Sequence, residues 1–283
     1  MEQIDTLKNG YKIIQDTKRF QFGIDAVLLA DFASKCLKAG EKVIDLGTGT
    51  GIIPLLMNSR VSAAAAVSFT GLEVQAESAD MAARSVALNG LEEQIRIVNG
   101  DLRNVAELFG RHSFNIITCN PPYMIDEHGR GNNLDAMTIA RHEVLCTLED
   151  VVAAADTLLA PHGRFFMIHR PFRLPEIFES LAKHKLEAKR MCLIHPFSDK
   201  EPNMVMIEAR KNAKRRLTIE PPLVVRNDDG EYTEEINKIY NAFSITSTSL
   251  SVRLSAASSV GRAKSPPALL SGFWRTVSFL AAM

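Results

Sequence analysis

Asn120, Pro121, Pro122 and Tyr123 form the motif of this chain whose residue types point most directly to chemistry. The motif follows an apolar run, Phe114–Cys119, whose type and length predict a buried parallel strand. Two prolines cannot continue a strand ladder or start a helix at once, so the Asn120 amide and the Pro121 carbonyl are presented where the strand ends. Two such acceptors can bind the hydrogens of a planar amino group and localise its lone pair, while the Tyr123 ring can stack on a flat substrate. We therefore predict Asn120, Pro121 and Tyr123 as catalytic residues.

A second motif lies upstream, where residues 42–51 run from a short apolar strand into alternating glycines, Gly47, Gly49 and Gly51. Glycine lets the backbone approach a ligand closely, and the helix predicted to follow offers N–H groups to an anionic group. The dinucleotide fingerprint G-x-G-x-x-G places its third glycine one residue later, and here the acidic Asp45 precedes the first glycine. This arrangement is typical of S-adenosylmethionine sites and not of nicotinamide or flavin sites.

Two further acidic residues follow predicted strands. Glu73 ends a predicted strand 22 residues beyond the last loop glycine, a distance suited to binding both hydroxyls of a ribose. Asp101 follows the next predicted strand and is suited to accept a hydrogen bond from an adenine amino group. The predicted cofactor site therefore comprises the glycine loop with Asp45, Glu73 and Asp101. Gly23 is predicted near its methionine end.

Together these motifs resemble those of class I S-adenosylmethionine-dependent methyltransferases that act on the N6 amine of adenine. More narrowly, the chain is similar to the bacterial tRNA(Val) adenine-N6 methyltransferase family, whose members modify an adenine beside the anticodon. The narrower resemblance covers about residues 1–240 and rests on the asparagine-proline motif together with segments 19–30, 140–143, 195–197 and 200–203. It implies S-adenosylmethionine as the cofactor, tRNA as the partner, and no metal.

The resemblance also implies an α/β fold of the class I methyltransferase (Rossmann-like) type. Such a fold has a seven-stranded, mostly parallel sheet with helices on both faces, here with a small N-terminal hairpin and helix extension. The sequence agrees, because apolar strand segments alternate with helical segments, as in parallel sheets. The last two predicted strands, near 188–194 and 203–209, would form a reversed pair at the sheet edge. We expect the hairpin and helix in residues 1–40, the catalytic domain in 41–241 and a tail in 242–283.

The N-terminal segment contains a hairpin signal and a helix signal. Asn9 and Gly10 predict a tight turn between two short strands. Asp25 is placed to cap a helix that runs to about Lys38. The apolar face predicted for this helix comprises Ala26, Leu29, Ala30, Ala33 and Leu37.

Charge is unevenly distributed, although the chain has 33 Lys and Arg against 33 Asp and Glu. Between residues 183 and 216 there are ten basic residues and four acidic ones. This stretch ends in Lys214, Arg215 and Arg216, which are predicted to contact RNA phosphates. The alternative is a solvated loop between two strands, with the preceding Arg210 and Lys211 simply ending a strand.

The polar segment 124–138 follows the catalytic motif and is predicted as a lid over the substrate base. Arg130 and Arg141 are predicted phosphate contacts, with solvated surface as the alternative. His142 and Glu143 invite a general-base role, but transfer from a sulfonium needs no strong base. We interpret them as a structural hydrogen-bonded pair.

Cysteine spacing and hydropathy favour a cytoplasmic protein. Cys36, Cys119, Cys146 and Cys192 include no C-x-x-C pair, so we expect reduced cysteines and neither a zinc site nor a disulfide framework. The N-terminus lacks the regions of a signal peptide. No apolar run approaches the ~18 residues of a membrane span.

The final 42 residues, from Ala242, contain ten serines, four basic residues and no acidic one. This composition resembles low-complexity sequence, and we expect a largely disordered, non-homologous extension. A genuine RNA-binding tail is the alternative.

Two other functions fit parts of the sequence. Release-factor methyltransferases also use an Asn-Pro-Pro-Tyr motif, on a glutamine amide, so protein glutamine N5 methylation is the main competitor. The chain could also be a catalytically silent cofactor-binding scaffold that presents RNA. Intact Asp45, Glu73 and Asn120 argue against the scaffold.

Overall fold

The computed structural model describes residues 1–18, 21–121 and 146–243. The chain starts with an antiparallel hairpin of strands β1 (Glu2–Thr6) and β2 (Lys12–Asp16). The predicted turn lies in the loop between them, where Gly10 adopts a left-handed φ of 79°. The Asn9 side chain accepts a hydrogen bond from the Tyr11 backbone N–H at 2.9 Å. The hairpin prediction is confirmed, with a longer loop than a two-residue turn.

A nine-stranded sheet forms the centre of the fold. Its strands are β3 (Lys42–Leu46), β4 (Ser68–Glu73), β5 (Ile95–Asn99), β6 (Phe114–Cys119), β7 (Leu159–His169), β8 (Leu186–His195), β9 (Met204–Lys211), β10 (Thr218–Ile219) and β11 (Leu223–Val224). They lie in the order β5-β4-β3-β6-β7-β9-β8-β10, and β11 also pairs with β8. All pairs are parallel except those of β9, which runs antiparallel to both β7 and β8.

The predicted α/β sheet and its reversed final pair are confirmed. Seven strands form the predicted class I arrangement, and the two-residue strands β10 and β11 extend it beyond β8. The central strands are apolar through their middle residues because helices cover both faces, and Ile44 and Ile117 there are fully buried.

Seven helices accompany the sheet in the described part of the chain. They are α1 (Ile24–Ser34), α2 (Ile52–Ser59), α3 (Ala76–Leu88), α4 (Val105–Phe109), α5 (Leu148–Leu158), α6 (Leu174–Lys183) and α7 (Glu234–Ala242). One hydrophobic core contains residues of the hairpin, α1, α2 and α7, and a second contains residues of α4, α5 and α6. The N-terminal hairpin and α1 therefore share a core with the catalytic sheet.

The details predicted for α1 are partly wrong. The helix ends at Ser34, short of Lys38, and its N-cap is Gly23, so Asp25 lies in the first turn and does not cap it. Every residue from Ile24 to Ala33 is buried, because α1 packs on β7 and β9 and is covered by α2 and α7. A helix enclosed on all sides has no single apolar face.

Two further regions are described, the connection before β4 and the end of α7. The alanine-rich stretch before β4 forms a short 3-10 turn at Ala63–Ala65. At the C-terminal side, α7 ends at Ala242 and Phe243 is buried, with 3% of its surface exposed. The folded core thus extends two residues beyond the predicted boundary at 241, and the rest of the predicted tail lies outside the described residues.

Candidate active site

Three parallel strands end in one row at the carboxyl edge of the sheet. Leu46 of β3 is in register with Leu72 of β4 and with Cys119 of β6. The next residues along each strand are therefore neighbours, which brings the glycine loop, Glu73 and Asn120 to the same edge. Open α/β sheets bind their ligands in this position.

The glycine loop connects β3 to α2 through three left-handed residues. Gly47, Gly49 and Gly51 have φ angles of 69°, 57° and 85°, which other residues adopt only with strain. A Cβ on Gly47 or Gly49 would meet no atom within 4 Å, so backbone conformation and not crowding requires glycine there. The N–H groups of Gly47 and Thr48 both donate to the Leu72 carbonyl, at 2.9 and 3.0 Å. The loop is thus anchored to β4, with open space above it.

Glu73 ends β4 with a carboxylate that is 5% exposed. Its Oε2 accepts a hydrogen bond from the Gly49 backbone N–H at 2.9 Å, and its Oε1 accepts one from the Gln75 N–H at 2.9 Å. Both oxygens are therefore held by backbone, one of them by the glycine loop itself.

Asp45 lies beneath the loop and is 2% exposed. Burial raises its pKa to about 7, although a hydrogen bond from the Thr118 hydroxyl at 2.6 Å opposes the shift. A hydrogen bond from the Thr48 side chain lowers this pKa as well. Asp45 therefore joins Thr118 of β6 to Thr48 of the glycine loop.

Asp101 follows β5 and caps a short 3-10 turn, Leu102–Asn104. Its carboxylate accepts hydrogen bonds from the backbone N–H and the guanidinium of Arg103, at 2.9 Å from the N–H and from Nε. The Arg103 side chain lowers the pKa of Asp101, which stays an anionic acceptor at the sheet edge. Its role toward an adenine remains a prediction.

Asn120 lies directly after β6 and is partly buried, and Pro121 after it is buried. The Asn120 side-chain Nδ2 donates to Asp25 Oδ2 at 3.0 Å. Tyr123, the third predicted catalytic residue, lies outside the described residues.

The position of Asp25 beside Asn120 was not predicted, because an acidic residue at a helix start is usually a cap. Gly23 is linked to it sterically, since a Cβ on Gly23 would lie 2.7 Å from Asp25 Oδ1. The available signal in the sequence was segment 19–30, which contains both Gly23 and Asp25 and carries part of the family resemblance. The contact of Gly23 with a cofactor stays a prediction.

Of the five predicted substrate contacts, three lie in the described part of the chain and two lie outside it. Arg130 and Arg141, the lid and the His142–Glu143 pair lie outside the described residues. Lys214, Arg215 and Arg216 are exposed and follow the end of β9. Because β9 runs antiparallel, they lie at the sheet edge opposite Asn120, about 25 Å away along a strand of this length.

Arg210 and Lys211 end β9, as one of the alternatives had it. Arg210 Nε donates to Glu208 at 2.6 Å, and Lys211 Nζ lies 2.9 Å from an Asp156 carboxylate oxygen. Both cations are therefore engaged within the fold.

An aromatic and basic segment at the carboxyl edge was also missed. It directly follows β7, the neighbour of β6, and contains Arg170, Phe172 and Arg173. Phe172 is 54% exposed. The adjacent His169 is buried, and burial, helped by Arg173 and Arg170, lowers its pKa to about 4. These residues could have been found from the sequence, because they directly follow a predicted strand.

Within residues 1–18, 21–121 and 146–243, no helix combines the length and apolar character needed to cross a bilayer. Over the same ranges, no group of three His, Cys, Asp or Glu side chains could hold a metal ion. The four cysteines are free thiols, and Cys119 and Cys192 are buried.

Comparison with known proteins agrees with this geometry. The sequence pattern of the family called methyltransferase small domain matches residues 21–189. A relative from Porphyromonas gingivalis, named tRNA1(Val) (adenine(37)-N6)-methyltransferase, is 28% identical over 84% of this chain and 93% of its own length. A protein of the same name from Tolumonas auensis is 26% identical over 82% of this chain and 93% of its own length.

Among solved structures, a predicted O-methyltransferase of Agrobacterium tumefaciens superposes with a TM-score of 0.62 at 21% identity. The superposition covers 78% of this chain and 98% of that one. It supports the predicted fold. From the family match, the fold and the glycine loop together, the chain belongs to the methyltransferase small domain family and is a class I, S-adenosylmethionine-dependent methyltransferase.

Proposed function

We propose that this protein methylates the N6 amine of an adenine in tRNA, beside the anticodon of tRNA(Val). The observation that carries the proposal is the placement of the Asn120 amide at the carboxyl edge, in the same row as Glu73 and the glycine loop. An acceptor for amine hydrogens thus lies next to the predicted methyl-donor site. The two relatives compared above support tRNA adenine as the substrate, because both are named for that activity.

The cofactor end of the site comprises the loop, Asp45, Glu73 and Asp101. Glu73 would hold the ribose hydroxyls, and Asp101 the adenine amino group. Asp45, buried beneath the loop, would support the loop under the methionine end. When bound, S-adenosylmethionine supplies a methyl group already activated by its sulfonium, so the protein's task is chiefly positioning.

The substrate end is formed by Asn120, Pro121 and Tyr123. A target base would leave its stack and enter the site. The Asn120 Oδ1 and the Pro121 carbonyl would accept from the two N6 hydrogens, which directs the nitrogen lone pair out of the ring, while Tyr123 stacks on the base. After methyl transfer the amine is cationic and acidic enough to lose a proton to water without a strong base.

Transfer of tritiated methyl to total tRNA, followed by nucleoside analysis, tests the proposal. We expect label in N6-methyladenosine from one tRNA acceptor species, with Asn120→Ala as the inactive control. A release-factor peptide containing glutamine is assayed in parallel. Label on the peptide with none on tRNA would show that the protein is a glutamine N5 methyltransferase. Binding of RNA and cofactor with no label on either substrate would indicate a catalytically silent scaffold.

A further inference from the structure

We propose that Asp25 is a positioning residue that fixes the Asn120 amide for methyl transfer. The inference rests on the role proposed above for Asn120 as acceptor of the substrate's amine hydrogens. Asp25 lies 95 residues away in sequence, in the first turn of α1, and is 8% exposed.

The chemistry of the contact fixes the orientation of the amide. A carboxylate has only acceptors, so the group that faces Asp25 Oδ2 at 3.0 Å must be the Asn120 NH2. Because the amide is planar, its Oδ1 then points to the opposite side. If the amide rotated by half a turn, Asn120 would present hydrogens to an amine that also presents hydrogens, and the site would repel its substrate.

The carboxylate also strengthens the acceptor. Donation by Nδ2 to an anion shifts electron density toward Oδ1, and chains of hydrogen bonds polarise one another in this way. The Asn120 oxygen therefore accepts more strongly than it would beside a neutral partner, and a charge-assisted bond of this kind is hard to displace.

Asp25 is itself held in place. Its Oδ1 accepts from the Ala26 backbone N–H at 2.9 Å. It lies in the first turn of an eleven-residue helix, where the positive end of the helix dipole stabilises a negative charge. The carboxylate thus contacts both the start of α1 and the Asn120 amide.

Gly23 leaves the space that this arrangement needs. Its φ of −104° and ψ of −173° are open to any residue, so backbone conformation does not require glycine. A Cβ there would lie 2.7 Å from Asp25 Oδ1, closer than van der Waals contact. Alanine at this position would therefore displace the carboxylate, and with it the Asn120 amide.

Four variants test the proposal: Asp25→Asn, Asp25→Ala, Gly23→Ala and the Gly23→Ala/Asp25→Ala double variant. Asp25→Asn keeps the volume but supplies one acceptor where two are used, so its NH2 opposes either Ala26 or Asn120. In single-turnover transfer to tRNA, we expect Asp25→Asn to lower the rate constant by about ten-fold or more. The Kd values for S-adenosylmethionine and tRNA should stay within about two-fold, because the bond acts through Asn120.

Gly23→Ala distinguishes a positioning role of Asp25 from a merely structural one. At saturating S-adenosylmethionine, where any loss of cofactor affinity no longer affects the rate, it should lower the rate constant in the wild-type background and have no further effect in Asp25→Ala, since the atom it displaces is then absent. Asp31→Ala is the matched control, because Asp31 is a buried carboxylate of the same helix that pairs with Lys35 at 2.8 Å. It should lower Tm and leave the rate constant unchanged.

Asp25→Asn with a wild-type rate constant, or independent losses from Gly23→Ala and Asp25→Ala, would overturn the proposal. A ¹⁵N–¹H NMR measurement of the Asn120 side-chain amide in the substrate-free protein tests the Asp25–Asn120 contact without any substrate. It therefore tests the positioning role independently of the proposed function. The signal should move strongly in Asp25→Asn and in Gly23→Ala. If wild-type protein leaves tRNA unlabelled, the proposed function fails, and a stationary amide signal would show that the positioning fails as well.

Discussion

Glu73 Oε2 accepts a hydrogen bond from the Gly49 backbone N–H at 2.9 Å, so the carboxylate predicted to hold a ribose also fixes the glycine loop. Gln75 holds the other oxygen from the opposite side. An ionised carboxylate has about four lone-pair positions, so two remain for hydroxyl groups. The orientation of the Glu73 side chain is therefore fixed before a ligand binds, and ligand binding has to order this side chain little further.

Replacing Glu73 with alanine should weaken S-adenosylmethionine binding by about 1.5–3 kcal/mol, the range for a charge-assisted hydrogen bond. Isothermal titration calorimetry measures the change directly. Glu92→Ala is the control, because Glu92 is an exposed acid beyond the C-terminal end of α3, away from the carboxyl edge. An unchanged affinity in Glu73→Ala would remove Glu73 from the ribose role.

Replacing Asn120 with alanine should abolish methyl transfer and leave S-adenosylmethionine affinity within a few-fold. The physical reason is that the Asn120 amide is proposed to bind the substrate amine and has no predicted contact with the cofactor. Single-turnover transfer and cofactor titration separate the two effects. Loss of cofactor binding in a variant that still folds would contradict this placement.

Asp45 should give the ligand-free protein a pH-dependent stability. Its pKa is raised from 3.8 to about 7, so between these values the unfolded chain has released a proton that the folded chain retains. Rising pH therefore favours unfolding across this window, by up to about 4 kcal/mol from Asp45 alone. Urea unfolding at pH 4 and pH 8 should show a smaller loss of stability in Asp45→Asn than in wild type.

Thr118→Val is the companion variant to Asp45→Asn. It removes the hydroxyl that stabilises the ionised form, so the window should extend to higher pH. Parallel stability curves for wild type and Asp45→Asn would show that Asp45 does not titrate as its burial requires.

The central sheet could be predicted from sequence because most of its main strands contain an apolar run followed by turn residues. Strands β10 and β11 could not, since two residues carry no periodic pattern. The positions of the glycine loop and Glu73 at the sheet edge could be predicted because each follows or ends a predicted strand. The Asp25–Asn120 contact joins residues 95 apart, and nothing local to either residue indicates the other.

The basic residues Lys214, Arg215 and Arg216 should contribute to tRNA affinity through charge if they bind phosphates. Replacing all three with alanine should then flatten the plot of log affinity against log salt, by about 0.7–0.9 for each phosphate that is no longer neutralised. Filter binding across a salt series measures the slope, and cofactor affinity should not change. The matched control replaces three exposed lysines elsewhere, Lys12, Lys18 and Lys38. Equal slopes in both triple variants would favour the solvated-loop alternative.

Truncation should distinguish the folded core from the tail. Deleting residues 244–283 should leave Tm almost unchanged, because a serine-rich segment of low-complexity composition is not expected to bury enough surface to offset the entropy of ordering. Deleting 242–283 should lower Tm by several degrees, because it also removes the buried Phe243, whose ring lies 4.3 Å from the Arg60 guanidinium carbon.

Phe243→Ala in the full-length chain is the control for this pair of truncations. It should reproduce the extra loss of stability seen on deleting 242–283. A large drop in Tm on deleting 244–283 alone would show that the tail contributes to the fold.

The two halves of the site differ in how far apart their parts lie along the chain. The predicted cofactor residues Asp45, Glu73 and Asp101 lie within residues 45–101, in successive strand–helix units, whereas the Asn120 amide contacts a carboxylate 95 residues upstream. Contacts between distant residues carry a larger loop-closure cost and delay folding. During refolding, we therefore expect the Asp25–Asn120 contact to be among the later ones to form, so that recovery of turnover should not precede recovery of methyl-donor binding.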